Sequence, residues 1–224
     1  MRNFHPGFDP RLYLVLDPLF VRGQEIEIAL VRAIENGVTA VQLREKNCSN
    51  EEFISLARKV SGILKFYGIP LIINDRVDVA LAVGADGVHL GQSDLHWKHA
   101  RRLLGKGAVI GLSVETIEQV RFSDLSQVDY LGVGALFETS TKKNVKGNWG
   151  TKGLKKLRKI TSQKLVAIGG IKVSNAKGVM EAGADGLAVI SEICSAGRGN
   201  VQENAKKLRK IVDEEISRRE GIYA

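Results

Sequence analysis

Cysteine is nearly absent. The 224-residue chain has two, Cys48 and Cys194, far apart and without any CxxC spacing, so neither a disulfide framework nor a zinc site is indicated. Aromatic residues are 6% of the chain and do not interleave with the basic ones, so the stacking platform of a single-strand nucleic-acid binder is missing. Nowhere do apolar residues run for the roughly 20 positions that a membrane helix needs. The opening Met1-Arg2-Asn3-Phe4-His5-Pro6 has no apolar core of signal-peptide length, so a cytoplasmic protein with no membrane partner is expected. Acids are the minority charge, 25 against 33 Lys and Arg, and the net charge of +8 favours anionic partners such as phosphates or nucleic acid. With 44% hydrophobic and 26% charged residues the composition is that of a folded soluble chain, which excludes disorder, collagen and coiled coil.

Much of the positive charge lies in two similar segments, Leu154-Lys155-Lys156-Leu157-Arg158-Lys159 and Ala205-Lys206-Lys207-Leu208-Arg209-Lys210. Leucine and isoleucine recur there at helical spacing, the mark of a solvated face on a surface helix. A basic nucleic-acid-binding module is the reading from another class, but no specific nucleic-acid partner is expected.

Short apolar runs alternate with segments of 3.6-residue periodicity along the chain. Eight such runs are expected strands: Leu12 to Leu16, Thr39 to Leu43, Pro70 to Asn74, Gly87 to His89, Ala108 to Leu112, Tyr130 to Val133, Lys164 to Ile168 and Gly186 to Ile190. They read as near-continuous apolar stretches, which suits parallel strands covered by helices. Ala82-Val83-Gly84-Ala85-Asp86-Gly87-Val88 recurs as Glu181-Ala182-Gly183-Ala184-Asp185-Gly186-Leu187, in each case a helix, a glycine stop and a strand. Weaker echoes stand at Asn36-Gly37-Val38 and around Val128-Asp129-Tyr130. Eight βα units predict one α/β domain over 1–224, a closed (β/α)8 barrel, with 1–11 an extension and 200–219 the last outer helix. The alternative is an open doubly wound sheet. Polar residues follow runs two to eight, and a barrel gathers those ends around one mouth where a sheet would spread them along an edge.

Where the second run ends, in Val41-Gln42-Leu43-Arg44-Glu45-Lys46, the two-residue strand period puts Gln42, Arg44 and Lys46 on one face, two cations and an amide suited to phosphate. Asn74 and Asp75 end the third run, and His89-Leu90-Gly91-Gln92-Ser93-Asp94 follows the fourth. Asp75 could be only the N-cap of a helix through Val77 to Val83. Two carboxylates at neighbouring strand ends can also share one Mg²⁺ with waters and substrate phosphates. His89, between Val88 and Leu90, is expected to be a satisfied core histidine with no catalytic role. Ser113 is either a helix N-cap or a hydroxyl facing the mouth. The stretch from Gly134 to Gly150 carries Thr139-Ser140-Thr141-Lys142, either a surface loop or an anion cradle and lid. Gly169-Gly170 after the seventh run and Ile190-Ser191 at the end of the eighth stand where such barrels often bind phosphate through backbone N–H groups. Two anion sites at one mouth suit an enzyme that joins two phosphorylated small molecules.

These residues, with Gln42-Leu43-Arg44-Glu45-Lys46, Asn74-Asp75-Arg76, Gly87-Val88-His89-Leu90-Gly91-Gln92, Gly111-Leu112-Ser113 and Gly169-Gly170-Ile171, occur in order and together resemble the thiamine-phosphate synthase family. The resemblance implies coupling of hydroxymethylpyrimidine pyrophosphate to thiazole phosphate, giving thiamine monophosphate and pyrophosphate by a dissociative route. It further implies that Gln42, Arg44, Lys46, Asn74, Ser113 and Lys142 contact the pyrimidine pyrophosphate, with Arg44, Lys46 and Lys142 stabilising the departing charge. Asp75 and Asp94 would hold Mg²⁺, and Thr139, Ser140, Thr141, Gly170, Ile190 and Ser191 would contact the thiazole phosphate. Glu138 departs from the pattern, standing where the family usually has proline. A thiazole tautomerase of the same fold is the nearest rival. It would not need the full pyrophosphate set.

Overall fold

The computed structural model describes residues 8–21, 25–121, 123–139, 148–194 and 197–221. Eight parallel strands, β1 (Leu12–Leu16), β2 (Ala40–Leu43), β3 (Leu71–Asn74), β4 (Gly87–Leu90), β5 (Val109–Val114), β6 (Tyr130–Val133), β7 (Lys164–Ile168) and β8 (Gly186–Val189), each pair with the next. Leu12 lies opposite Leu187 and Leu14 opposite Val189, so β8 closes on β1. The sheet is therefore a (β/α)8 barrel and not the open sheet. Its helices are α1 (Ile26–Glu35), α2 (Asn50–Tyr67), α3 (Val77–Val83), α4 (Trp97–Leu104), α5 (Ile117–Arg121), α6 (Gly150–Ile160), α7 (Val173–Glu181), α8 (Ser191–Cys194) and α9 (Gly197–Arg219).

The unbroken apolar runs follow from burial on both faces of each strand. Leu12, Leu14, Leu16, Val41, Leu43, Leu71 and Ile73 face the helices. Tyr13, Val15, Ala40, Ile72, Val109, Tyr130, Val166 and Ala188 fill the barrel. Phe8, from the segment that the sequence left without a role, joins this inner cluster and stacks on Tyr130 with 4.9 Å between ring centroids.

The helices form for local reasons as well. In α2 the Ser49 hydroxyl accepts the Glu52 N–H at 3.2 Å while the Glu52 carboxylate accepts the Ser49 N–H at 2.8 Å, a reciprocal cap. Phe53, Ala57, Val60 and Leu64 then make its buried stripe, and Gly68 ends it at φ 66°. The basic helices are solvated as expected: Leu154 and Leu157 of α6 and Leu208 and Val212 of α9 are buried while their lysines are exposed. On α9, Lys207 pairs with Glu203 at 2.6 Å and Lys210 with Glu214 at 3.8 Å. Among the described residues no helix is long and apolar enough to cross a membrane.

At the N-terminal end of the barrel the sequence echo acquires a function. The residue before each even strand accepts a backbone N–H from the start of the preceding odd strand. Thr39 takes that of Leu12 (3.0 Å), Asp86 that of Leu71 (2.8 Å), Asp129 that of Ile110 (2.7 Å) and Asp185 that of Leu165 (2.7 Å). Arg101 and Arg158 neutralise Asp129 and Asp185 at 2.7 and 2.9 Å.

Several expected boundaries move. The second strand starts at Ala40 and ends at Leu43, where its apolar run ends, so Arg44 and Lys46 lie beyond it and not on a strand face. The fifth continues to Val114, which puts Ser113 inside a strand and removes the N-cap reading. That reading failed because Ser113 is polar yet inward-facing, and a barrel's inner wall turns polar towards its mouth.

Candidate active site

A cavity of about 570 Å³ opens at the C-terminal ends of the strands. Gln42, Arg44 and Lys46 all line it. Backbone pairing of the Arg44 N–H to Leu16 O at 2.9 Å carries the chain past the end of β2 into the mouth. The Arg44 guanidinium pairs with Asp17, a carboxylate only 3% exposed that also accepts the Leu19 N–H at 3.0 Å. Asp17 is a further site neighbour with the same sequence signal as the others, a polar residue directly after an apolar run.

Asp75 and Asp94 lie in the same cavity. Asp75 is not a helix cap: Arg76 occupies that position and makes no side-chain cap bond. Asp75 has instead a left-handed backbone, φ 62°, fixed by its own N–H donating to His89 O at 2.8 Å. Asp94 likewise does not cap α4, which is capped by His96; its carboxylate accepts the Gly91 N–H at 2.6 Å. Burial holds the Asp75 carboxyl above the usual carboxylate range, as do the hydrogen bond and charge of Asp94, while Lys46, with Nζ 3.4 Å from Asp75 Oδ2, pulls it down. Two carboxylates in contact are relieved by a cation. Among the described residues no third His, Cys, Asp or Glu joins them, which leaves room for the waters and substrate oxygens that Mg²⁺ prefers.

Between these groups and the barrel floor runs a set of polar side chains. Gln42 Nε2 lies 3.2 Å from Tyr13 Oη, Tyr13 Oη 2.8 Å from Tyr130 Oη, Tyr130 Oη 2.9 Å from His89 Nδ1, and His89 Nε2 2.9 Å from Ser113 Oγ. His89 is thus hydrogen-bonded on both ring nitrogens. Asn74 also lines the cavity.

Opposite stand Thr139, Gly169, Gly170, Ile190 and Ser191. Gly169 and Gly170 have φ of 94° and 68°, and a Cβ on Gly170 would meet Glu138 O at 2.7 Å, so the glycine pair also lets the segment after β6 pack against the end of β7. Asn175 Nδ2 donates to Gly170 O at 2.9 Å and steadies this turn. Ser140, Thr141 and Lys142 lie outside the described residues. Tyr13, Glu115 and Lys172 are further lining residues that the sequence did not single out.

A closed parallel barrel with cations and a carboxylate pair on one side of its mouth and a glycine turn on the other is a (β/α)8 enzyme built for small molecules. Residues 12–193 match the family model described as thiamine monophosphate synthase. The chain is 49% identical over 203 residues to the thiamine-phosphate synthase of Albidiferax ferrireducens, covering 91% of this chain and 92% of that protein. It is 47% identical over 206 residues to that of Vibrio parahaemolyticus, covering 91% and 98%. A solved thiamine phosphate pyrophosphorylase from Pyrococcus furiosus superposes with a TM-score of 0.81 at 33% identity, over 93% of this chain and 98% of that one. The chain belongs to the thiamine monophosphate synthase family.

Proposed function

We propose that this protein is a cytoplasmic transferase that joins hydroxymethylpyrimidine pyrophosphate to thiazole phosphate, releasing pyrophosphate and thiamine monophosphate. The observation that carries the reading is the pairing, in one cavity, of Arg44, Lys46, Asp75 and Asp94 with the Gly169-Gly170 turn across from them. The first group suits a pyrophosphate with its cation and the second suits a monophosphate held by backbone N–H groups.

In this reading Gln42, Arg44, Lys46, Asn74, Ser113 and Lys142 bind the pyrimidine substrate. Thr139, Ser140, Thr141, Gly170, Ile190 and Ser191 bind the thiazole phosphate. Asp75 and Asp94 would hold Mg²⁺, which when bound offsets negative charge on the pyrophosphate. The carbon–oxygen bond to the pyrophosphate breaks first, and the electron-rich aminopyrimidine supports the cationic methylene. Arg44, Lys46 and Lys142 stabilise the charge that develops on the departing group. The thiazole nitrogen, held in line by the opposite subsite, supplies its lone pair to the methylene. No side chain has to take a proton, which agrees with His89 serving only as a positioning group.

The test is direct. Purified protein mixed with both phosphorylated precursors and Mg²⁺ should yield thiamine phosphate and pyrophosphate. Isomerisation of the thiazole precursor without coupling would replace this reading by the tautomerase.

A further inference from the structure

We infer that the barrel floor carries a one-way hydrogen-bond chain, from Gln42 through Tyr13, Tyr130 and His89 to Ser113, which fixes His89 as the Nε2–H tautomer and presents the Ser113 hydroxyl to the cavity as a donor. The direction follows from counting protons along these contacts. An amide nitrogen has protons and no acceptor capacity, so Gln42 Nε2 donates to Tyr13 Oη across 3.2 Å. Among the described residues the acceptor for the Tyr13 proton is Tyr130 Oη at 2.8 Å. Tyr130 then passes its own proton to His89 Nδ1 at 2.9 Å. A ring nitrogen that accepts carries no proton, so the neutral imidazole is protonated at Nε2 and donates to Ser113 Oγ at 2.9 Å. Ser113 is left with its proton to offer the cavity that it lines.

The fold has made room for this chain. Both phenols are fully buried, and burial pushes them well above their ordinary range, so each keeps the one proton that the chain needs. Gly111 and Gly132 face the barrel interior on β5 and β6 where side chains would otherwise stand. A Cβ at Gly111 would lie 2.1 Å from Tyr130 Cζ, and one at Gly132 would lie 2.7 Å from His89 Cε1. The two glycines vacate the volume into which His89 and Tyr130 stack, their rings 5.4 Å apart.

Tyr13, Tyr130 and His89 are positioning residues, acting on substrate only through Ser113. The ligand atom that meets Ser113 must then be an acceptor. This last step rests on the proposed function: an aminopyrimidine offers ring nitrogens that accept and an amino group that donates, and the chain selects the former.

The tautomer can be measured without any substrate, by nitrogen NMR of the full chain labelled at histidine. His89 is assigned among the four histidines by the signal lost in His89→Gln. The expected result is a neutral, Nε2-protonated ring. Gln42→Glu in mildly alkaline buffer replaces the donor with an acceptor of the same shape and should reverse His89 to Nδ1–H. Tyr130→Phe removes the donor to Nδ1 and should give a mixture of tautomers, so it decides the matter if Gln42→Glu does not fold. An Nδ1-protonated parent, or an unchanged Nε2–H ring in both folded variants, overturns the chain. A binding comparison separates this failure from that of the proposed function. The protein should prefer the pyrimidine pyrophosphate over its analogue with C–H in place of the ring nitrogens by roughly tenfold, and Ser113→Ala should abolish the preference. Equal binding of the two overturns the Ser113 donor, whereas binding of neither overturns the substrate while the NMR result stands.

Discussion

The two ends of the barrel use the same residue types to opposite effect. At the N-terminal end Asp86, Asp129 and Asp185 each accept a strand N–H, and two of the three meet an arginine within 2.9 Å. At the C-terminal end Asp75 leans on Asp94, with Lys46 3.4 Å away as partial compensation. The first set is locked by complementary partners and holds strands in register. The second sets like charge against like, an arrangement that costs stability and marks the mouth as the candidate site. Carboxylates in this fold are thus told apart by what their partners leave unsatisfied.

Neutralising the mouth should give the largest effect on rate. Asp75→Asn and Asp94→Asn should each reduce coupling by roughly 100-fold or more, the scale of losing a preorganised charge contact in a transition state. Both should leave the melting temperature nearly unchanged, because asparagine tolerates the left-handed backbone of Asp75 and still accepts the Gly91 N–H from position 94. The double variant should lose little more than the worse single one, as groups acting as a unit do. Raised Mg²⁺ should partly rescue each single variant. Near-parental rates at low Mg²⁺ would collapse the contrast between the two ends and leave the pyrophosphate to the cations alone.

The converse change belongs at the other end. Asp129→Ala strips the Ile110 N–H of its acceptor and leaves Arg101, a side chain only 12% exposed, with carbonyl partners alone. It should cost about 2–3 kcal/mol of stability, a fall of roughly 4–12 °C in melting temperature for a chain of this size. Turnover below the transition should stay at the parental value. A drop in kcat at a temperature where the variant is fully folded would show that the two ends are coupled.

How much of this contrast was legible in the sequence depends on the end. The repeated Gly-Ala-Asp-Gly segments exposed the βα unit, and β6 and β7 have the bounds that their apolar runs suggest. The role of Asp86 and Asp185 is not legible, because the N–H groups that they accept lie one strand back, across a helix of intervening sequence. Asp75 and Asp94 stand out as polar residues after apolar runs, but that pattern alone does not separate a cap from a site, and the helix starts at Arg76 and His96 remove the cap. The floor chain was hidden for another reason. Tyr13 and Tyr130 sit inside apolar runs, where a tyrosine reads as core, and closure of the barrel is what brings their hydroxyls within 2.8 Å of each other.

The smallest expected effect comes from a lysine on the outer helices, and comparison with a lysine of the proposed site isolates position as the cause. Lys142→Ala removes a charge-assisted contact from the proposed pyrophosphate subsite and should cost about 1.5–3 kcal/mol in kcat/KM. Lys155→Ala removes an exposed lysine from α6, between the buried Leu154 and Leu157, and its stability should stay within about 0.5 kcal/mol of the parent. Its activity should match the parent at ordinary salt, where charges more than about 8 Å apart are screened. Measuring kcat/KM for both variants at low and moderate salt sharpens the comparison. A Lys155→Ala loss that appears only at low salt would mean that the basic helix steers anionic substrates towards the mouth. A loss independent of salt would place α6 in the site itself, and the division of labour between the rim and the outer helices would have to be redrawn.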